Sequence, residues 1–435
     1  MKRFLFLMQL VVFAAGLLIG CTTFTQPKLG VTITADHRSP TGYFVTFVYF
    51  NPNATLVELG GNMMLMDFDN LGSFDKFPPH EYRPGLFPAA MIRRPPFFGV
   101  MDSLGNGYWT LTVPLTGGGI AYWFHVYEEP NPPANPTAAQ RAELSLRIGD
   151  PANPPPLSPG DNRSIVNTQM SVAHVPWDSQ RQHVLNNRDL ELPRTDGRRG
   201  TVQFVPYYAN NTETDWGRQY LGVYLPYGFD ANRAEPYPVL FLSHGVGGDQ
   251  TDWMGAGGAP NIFDNLIAEG RIVPTVVVSM NNNAFAFTMA QIDDKHTPAA
   301  ENMIYNILPF VEENFNVSSN PEQRAFAGLS MGAALTTTLF HEYTTEFGYF
   351  GIFGYAGNMD NYDFANLENK TFPTIFFGYG FFGDWYEMFY WRFPAAMEAA
   401  GIAHSYHPVP AAHDTHAWAQ LLTIFARDYL WQTHR

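Results

Sequence analysis

Cysteine is nearly absent from this sequence, and positive charge is scarce. The 435 residues include one cysteine, Cys21, and 25 lysines and arginines against 40 aspartates and glutamates. A single cysteine excludes an intramolecular disulfide and a cysteine-based metal site. The formal charge of −15 and the lack of any basic run argue against a nucleic-acid binder, because phosphate backbones are bound by cationic surfaces.

Charged residues are few as well, at 15% of the chain, and aromatic residues are equally common. Such a composition favours neutral, ring-shaped partners over salt-bridge networks. The 38 glycines and 34 prolines indicate many turns, which argues against a helical bundle or a coiled coil. With a hydrophobic fraction of 46%, a chain of this length is expected to form two domains, each with its own core.

The N-terminus has a basic start, an apolar run over residues 4–18 and the sequence Leu18-Ile19-Gly20-Cys21. This pattern resembles a bacterial lipoprotein signal, with residues 1–20 as the signal peptide and 21–31 as a tether. The resemblance implies lipidation of Cys21 and, because Thr22 follows, an outer-membrane anchor on the periplasmic side or the cell surface. An ordinary secretory signal and a lone membrane helix are the alternatives, although the run is short for a span.

Residues 32–150 are expected to form a small β-sandwich, because short β-branched and aromatic runs such as 43–50, 108–113 and 120–127 alternate with turns. Their order resembles the immunoglobulin-like early-set module of carbohydrate-binding module family 48, with 62–98 as an insertion. The resemblance implies either glycan binding or a purely structural partner for a catalytic domain. Trp109 and Trp123 are accordingly either sugar platforms or core residues.

A proline-rich linker at 151–171 separates this module from a second domain at 172–435. In the second domain, continuous apolar runs such as 239–243 and 275–280 alternate with helical segments. Runs of this kind are typical of strands buried on both faces of a parallel sheet. The fold class predicted for this domain is therefore α/β.

A G-x-S-x-G pentapeptide, Gly328-Leu329-Ser330-Met331-Gly332, lies between an apolar strand and a helix-forming segment. Glycines on either side of a strand-to-helix turn let the serine hydroxyl project, and the helix N-terminus adds positive potential there. This context favours Ser330 as a nucleophile, although a purely structural turn uses the same residue types.

The run at 242–253, Leu-Ser-His-Gly-Val-Gly-Gly-Asp-Gln-Thr-Asp-Trp, resembles the His-Gly-x-Gly-Gly loop of the esterase D family. This group, carbohydrate esterase family 1, includes feruloyl and acetylxylan esterases. Blocks at 261–270, 307–312 and 324–332 follow in the family order. The resemblance implies an α/β-hydrolase and a serine carboxylesterase without a cofactor. The backbone amides of Val246 and Met331 would form the oxyanion hole.

The family places its general base in a C-terminal loop, five residues before a tryptophan. His413 has that spacing to Trp418, although alanines replace the two glycines that usually precede the base. We therefore expect His413 to be the base and keep His416 as its rival. An imidazole suits this role because its ordinary pKa near 6.5 lets it accept and return a proton.

The acid is expected on the loop after the strand at 374–378, where Asp384 is the favoured residue. Its spacing departs from the family pattern, so Asp360 and Asp363 remain alternatives. Asp414 adjoins His413 in sequence, and neighbouring side chains rarely face each other. The carboxylate would orient the imidazole and stabilise its charged form.

Histidines are dense near the C-terminus, which raises the question of a metal site. His404 and His407 have odd spacing on a predicted strand and would face opposite sides. No carboxylate-rich motif accompanies them, so no metal is expected.

By resemblance, the substrate is a feruloyl or acetyl ester on xylan or a related oligosaccharide. Seven aromatic residues near the expected acid either line the site or belong to a core: Phe381, Phe382, Trp385, Tyr386, Phe389, Tyr390 and Trp391. The alternatives are a siderophore or S-formylglutathione esterase, an acyltransferase, and a non-catalytic glycan-binding lipoprotein. The oligomeric state is left open.

Overall fold

The structure is a computed structural model. It describes residues 26–70, 77–89, 97–156, 170–182, 188–211, 214–285, 287–355, 357–367, 374–382 and 392–431. The predicted signal peptide with Cys21, the favoured acid Asp384 and the aromatic residues from 385 to 391 lie outside the described residues.

Short antiparallel strands build the first domain. They are β1 Gly30–Ala35, β2 Tyr43–Phe50, β3 Leu56–Gly61, β4 Leu65–Asp67, β5 Leu86–Pro88, β6 Phe97–Val100, β7 Asp102–Gly105, β8 Tyr108–Pro114, β9 Gly118–Tyr127, β10 Leu146–Ile148 and β11 Ser171–Val175. One sheet has the order β1-β2-β8-β7, and the other has the order β10-β9-β3-β6. A short helix, α1 Ala138–Leu144, precedes β10.

The core of this domain lies between the two sheets. Val45 and Phe47 from β2 pack with Tyr122 and Phe124 from β9. Alternate residues of each strand thus face the core, as expected for a sandwich. Trp109 lies in the same core, and Trp123 is also only 8% exposed. Both tryptophans are therefore packing residues, and neither offers an open platform for a sugar ring.

The domain boundary differs from the expected one. The predicted second domain starts at residue 172, but Ser171–Val175 is strand β11, which pairs antiparallel with β9 of the sandwich. The pairing depends on tertiary structure, because the backbone N–H and C=O groups of residues 118–122 of β9 form their hydrogen bonds with this strand. The first domain thus includes a strand from beyond the proline-rich segment.

An eight-stranded sheet forms the second domain. Its strands are β12 Thr201–Asn210, β13 Asp215–Leu225, β14 Val239–Ser243, β15 Val276–Met280, β16 Arg324–Leu329, β17 Tyr349–Phe353, β18 Thr374–Gly380 and β19 Ser405–Val409. Their order is β12-β13-β15-β14-β16-β17-β18-β19. The pairs β12-β13 and β13-β15 are antiparallel, and the other neighbours are parallel.

Helices cover both faces of this sheet. They are α2 Ala259–Ala268, α3 Thr297–Asn302, α4 Leu308–Asn314, α5 Met331–Glu342, α6 Arg392–Ala399 and α7 Thr415–Asp428, and a π-helical turn, Met303–Ile307, joins α3 to α4. Val239 and Phe241 of β14 belong to one core and Leu240 and Leu242 to the other. Burial on both faces accounts for the continuous apolar runs and confirms the predicted α/β class.

The segment between β3 and β6 links the two domains. It contains the two-stranded sheet of β4 and β5, whose Met66 and Phe87 are fully buried against Phe382 and Ala412 of the second domain. The predicted insertion therefore has a defined neighbour. No helix in the described ranges combines the length and the apolar character that a bilayer span requires.

Candidate active site

Ser330 lies at a sharp turn between β16 and α5. Its backbone has φ 56° and ψ −119°, a conformation that residues other than glycine rarely adopt. Its N–H donates to the carbonyl of Phe353 at 2.9 Å. This turn places the serine hydroxyl at the C-terminal end of the strand and at the N-terminus of a twelve-residue helix.

The two glycines of the pentapeptide are required by close backbone contacts. A Cβ atom on Gly328 would lie 2.1 Å from the carbonyl oxygen of Gly332. A Cβ atom on Gly332 would lie 2.6 Å from the carbonyl oxygen of His244 and 2.7 Å from that of Ser243. Glycine at these positions therefore lets the strand, the helix and the loop after β14 converge at Ser330.

His413 lies between β19 and α7, and it meets Ser330 directly. Its Nε2 is 2.9 Å from Ser330 Oγ, and its side chain is mostly buried. The ring of Trp418 contacts the imidazole edge-on, with centroids 4.8 Å apart. The five-residue spacing noted in the sequence thus corresponds to one turn of α7 that returns the indole to the imidazole.

Gly354 leaves room for this pair. Its φ is +58°, and a Cβ atom there would lie 2.4 Å from Trp418 Cη2 and 3.3 Å from His413 Nδ1. Its N–H donates to the carbonyl of Gly378 at 2.7 Å. A larger residue would displace the indole or the imidazole.

The loop after β14 passes beside the serine. A Cβ atom on Gly245 would lie 2.9 Å from Ser330 Cβ. His244 fixes this loop, because its Nδ1 is 2.6 Å from the Gly245 carbonyl oxygen while its Nε2 accepts the N–H of Asn282 at 2.9 Å. Burial lowers the pKa of His244 to about 4, so this imidazole is neutral near pH 7.

The two amides expected in the oxyanion hole flank Ser330 at this junction. Met331 is the first residue of α5, and Val246 follows Gly245 on the loop. Among the described residues, neither N–H donates to another backbone group. Their role as oxyanion donors stays a prediction.

The candidate acids have different surroundings. The favoured Asp384 lies outside the described residues, although β18, the strand before it, ends next to β17 and β19. Asp360 and Asp363 are exposed and lie on or beside short 3-10 turns. Asp414 is the N-cap of α7, and its carboxylate accepts the N–H groups of His416 and Ala417.

His416, the rival base, is fully buried, and both of its ring nitrogens have partners. Nδ1 is 2.8 Å from Arg188 Nη1, and Nε2 is 2.6 Å from the Asn62 carbonyl oxygen. The structure therefore brings His413, and not His416, to Ser330.

The remaining histidines of this region are apart from the serine. His407 Nε2 is 2.6 Å from the Tyr429 hydroxyl, and His404 Nδ1 is 3.2 Å from the Ile402 carbonyl oxygen. Across the described parts of the chain, no three histidine, cysteine, aspartate or glutamate side chains are grouped as metal ligands would be.

Two residues that shape the site are not predictable in that role from the sequence. His244 stands in the His-Gly-x-Gly-Gly motif, but the motif does not predict that it holds the loop, and no motif singles out Gly354. A positive φ at a glycine between two strands leaves no local signature. The signal for His244 was its position at the end of a buried strand, where an imidazole needs hydrogen-bond partners.

The central part of the second domain matches a known family model. Residues 213–359 match a family described as "Putative esterase". A relative named endo-1,4-beta-xylanase/feruloyl esterase, from Xylanibacter ruminicola, is 33% identical over 208 residues, which are 47% of this chain and 28% of that protein. Endo-1,4-beta-xylanase Y from Acetivibrio thermocellus is 30% identical over 131 residues, 28% of this chain and 11% of its own. The chain spans less than a third of either relative.

Solved structures share the fold. A ferulic acid esterase from Anaeromyces mucronatus superposes with a TM-score of 0.50 at 19% identity, covering 56% of this chain and 95% of its own. The enterobactin esterase from Shigella flexneri superposes with a TM-score of 0.57 at 13% identity, covering 93% of this chain and 97% of its own.

The family match and the relatives in sequence support a carboxylic ester hydrolase, and the solved structures share the α/β fold of the second domain. The predicted enzyme class is thereby confirmed. Within that class, its relatives in sequence include a protein that carries a feruloyl esterase.

Proposed function

We propose that the protein is a serine carboxylesterase that hydrolyses feruloyl or acetyl esters on xylan or a related oligosaccharide. The observation that carries this proposal is the 2.9 Å approach of His413 Nε2 to Ser330 Oγ at a strained strand-to-helix turn. A base within hydrogen-bond reach of a projecting hydroxyl is the minimum that nucleophilic catalysis requires.

In the first step, Ser330 Oγ attacks the ester carbonyl carbon while its proton passes to His413 Nε2. The amides of Val246 and Met331 donate to the oxyanion, and the N-terminus of α5 adds positive potential. The intermediate then collapses, the C–O bond of the ester breaks, and His413 returns the proton to the leaving alcohol.

In the second step, water attacks the acyl-enzyme and gives its proton to His413. The acid is released, and Ser330 recovers its hydrogen. We assign Asp384 to the orientation of His413 and to the stabilisation of its charged form, because it follows a strand that ends between β17 and β19. Every bond change uses the chain and water, so the proposal requires no cofactor.

The substrate class rests on the relative that combines a xylanase with a feruloyl esterase. The composition agrees with it, because a chain with formal charge −15 suits a neutral polysaccharide ester better than an anionic substrate. Phe381 lies just after β18, edge-on to Phe68 of the first domain with ring centroids 5.8 Å apart. These rings offer apolar surface next to the end of β18.

A siderophore ester is the second candidate substrate. The observation behind it is the fold similarity to the enterobactin esterase, which extends over both domains, whereas the ferulic acid esterase covers 56% of this chain. The two candidates share the same serine mechanism and differ in the acyl and alcohol groups.

The test is hydrolysis of 4-nitrophenyl acetate, methyl ferulate, acetylated xylan and enterobactin by the wild-type chain and by Ser330→Ala. We expect turnover of at least one plant-wall ester and a loss of roughly a millionfold in the variant, as for nucleophile knockouts in serine proteases. Full activity in Ser330→Ala would refute the mechanism. Hydrolysis of enterobactin and of none of the other esters would show that the substrate is a siderophore ester. Adding a sugar acceptor and analysing products separates a hydrolase from an acyltransferase.

We also propose that a lipid on Cys21 holds the protein at the bacterial outer membrane, on the basis of the sequence before that residue. Incorporation of labelled palmitate should depend on Cys21. A Cys21→Ala variant that stays in the membrane fraction would contradict this proposal.

A further inference from the structure

Asn62, just after β3 of the first domain, contacts the N-terminus of α7. It is held on its own domain by Ala121, whose carbonyl accepts the Asn62 N–H at 2.9 Å and whose N–H donates to Asn62 Oδ1 at 2.8 Å. Its remaining polar groups reach across, because Nδ2 donates to Thr415 Oγ1 and the carbonyl oxygen faces His416 Nε2 at 2.6 Å.

The protonation of His416 follows from its partners. Arg188 has N–H donors and no acceptor, so His416 Nδ1, 2.8 Å away, accepts. The ring hydrogen is therefore on Nε2 and is donated to the Asn62 carbonyl. Burial lowers the pKa of His416, which favours this neutral form.

Arg188 is itself fixed to the sandwich. Its guanidinium makes two bonds of 2.6 Å with Glu191, and Glu191 Oε2 accepts the N–H of Gly119 on β9 at 2.8 Å. The guanidinium lies directly over Gly118, where a Cβ atom would be 2.6 Å from Cζ. Both ring nitrogens of His416 are thus bound by groups anchored on the first domain.

The residue on the other side of His413 is also packed against the first domain. Ala412 is fully buried in a cluster with Met66, Phe87 and Ala89. His413 therefore lies between Ala412, which contacts the first domain through apolar atoms, and Thr415, which contacts it through a hydrogen bond.

We propose that Asn62 and His416 are positioning residues that fix His413 for proton transfer, so that the sandwich domain supports the base of the active site. This inference rests on the proposed roles of Ser330 and His413. A displacement of about 1 Å in a catalytic group can cost roughly 100-fold in rate. We therefore expect loss of these contacts to lower kcat with little change in KM for a small ester, because neither residue is placed to touch the substrate.

The test uses the full chain and a fluorophosphonate probe. Ser330 Oγ bonds to phosphorus, fluoride leaves, and the serine proton passes to His413. The rate of this labelling reports the Ser330–His413 geometry without knowledge of the natural substrate. We expect His416→Phe to lower both the labelling rate and kcat for 4-nitrophenyl acetate about 10- to 100-fold.

Two conservative variants separate the partners of His416. In His416→Gln, the amide can replace the Nε2–H that is donated to Asn62, whereas in His416→Asn the amide oxygen can replace the Nδ1 that accepts from Arg188. We expect His416→Gln to have a higher labelling rate than His416→Asn, and both rates are compared with that of His416→Phe. Thr415→Val, which removes the acceptor of the Asn62 side chain at nearly constant volume, provides a second test if the His416 variants do not fold.

Tyr127→Phe is the matched control, because it removes a buried hydrogen bond of 2.7 Å to Glu58 within the sandwich. It should lower Tm and leave kcat, KM and labelling rate within twofold of wild type. The proposal is overturned if His416→Phe and Thr415→Val behave like this control, or if Asn restores the rate as well as Gln does. Absence of Ser330 labelling in the wild type would instead refute the proposed function, and this inference with it.

Discussion

Two segments that carry histidines meet at Ser330, and they are anchored in different ways. The loop of His244 is held inside the second domain, where Asn282 donates to the imidazole and the Gly245 carbonyl faces its other nitrogen. The segment of His413 has contacts to the first domain as well as to its own, through Ala412 on one side and His416 on the other.

Under the proposed mechanism, this difference divides the site into an oxyanion side that one domain builds alone and a base side that needs both. Backbone atoms of Gly332 and His244 fix the oxyanion side at close range. The base side depends on hydrogen bonds between residues more than 350 positions apart in sequence. We therefore expect substitutions on the two sides to change kcat and the free energy of unfolding in different proportions.

The largest effect is expected from removing the base itself. His413→Ala should lower kcat by roughly a millionfold, and the double variant with Ser330→Ala should be no worse than either single variant, because the two groups act as a unit. Steady-state kinetics with 4-nitrophenyl acetate measures this. His404→Ala is the control and should retain wild-type kcat. Additive losses in the double variant would show that the two groups act independently.

The oxyanion side is tested by Gly332→Ala. The added Cβ would lie 2.6 Å from the His244 carbonyl oxygen, so the loop must move. A displaced oxyanion donor costs about 100- to 1,000-fold in kcat, roughly 3 to 4 kcal/mol. Gly270→Ala, at a glycine with φ +66° and no neighbouring atoms within 4 Å, is the control for a loss of stability away from the site. Unchanged kcat in Gly332→Ala would place the oxyanion hole elsewhere.

The interface on the base side is tested by comparing Phe87→Ala with Phe47→Ala. Both rings are fully buried, Phe87 at the contact with Ala412 and Phe47 in the sandwich core. Each variant should lose about 3 to 5 kcal/mol of unfolding free energy. The folded Phe87 variant should also lose activity about tenfold, as expected for a shift of well under 1 Å. Equal kcat in the Phe87 and Phe47 variants, measured well below their Tm, would show that this interface does not support catalysis.

The smallest effect concerns pH and His244. Burial lowers the pKa of this imidazole from 6.5 to about 4, so between these values the unfolded chain binds a proton that the folded chain does not. Unfolding free energy should therefore fall as the pH decreases through this window and level off below it. One such proton contributes at most about 1.4 kcal/mol per pH unit.

His244→Gln should reduce that slope, because the Gln oxygen can accept from Asn282 and does not titrate. Urea unfolding at several pH values measures the change. The variant should still show some pH dependence of its unfolding free energy, since burial also lowers the pKa of His125 and of His296 to about 4. An identical slope in wild type and variant would show that His244 is already protonated when folded.

Patterns that are local in sequence predicted the parts of the site that are local in space. The pentapeptide around Ser330 indicated a strand, a turn and a helix, and the structure has β16, the turn and α5 at these positions. The physical reason is that steric limits on a tight turn demand glycine at fixed offsets. The spacing of His413 and Trp418 was readable for a similar reason, since it reflects one helical turn.

Contacts between the domains were not predictable. His416 looked like a rival base because a buried, fully bonded imidazole and a catalytic one have the same local sequence. Asn62 lay in an apparent insertion, and nothing near it indicates a partner in α7. Strand β11 was assigned to the wrong domain because the register that pairs it with β9 depends on the folded sheet. The acid stays a prediction, as Asp384 lies outside the described residues.

The bond from His416 to Asn62 also has a consequence for synthesis. Chains are made from the N-terminus, so the ribosome adds His416 354 residues after Asn62. The sandwich can be complete while the base segment is still untranslated. Ser330 would then lack its proposed base until residues 413–416 have been translated and have reached the sandwich.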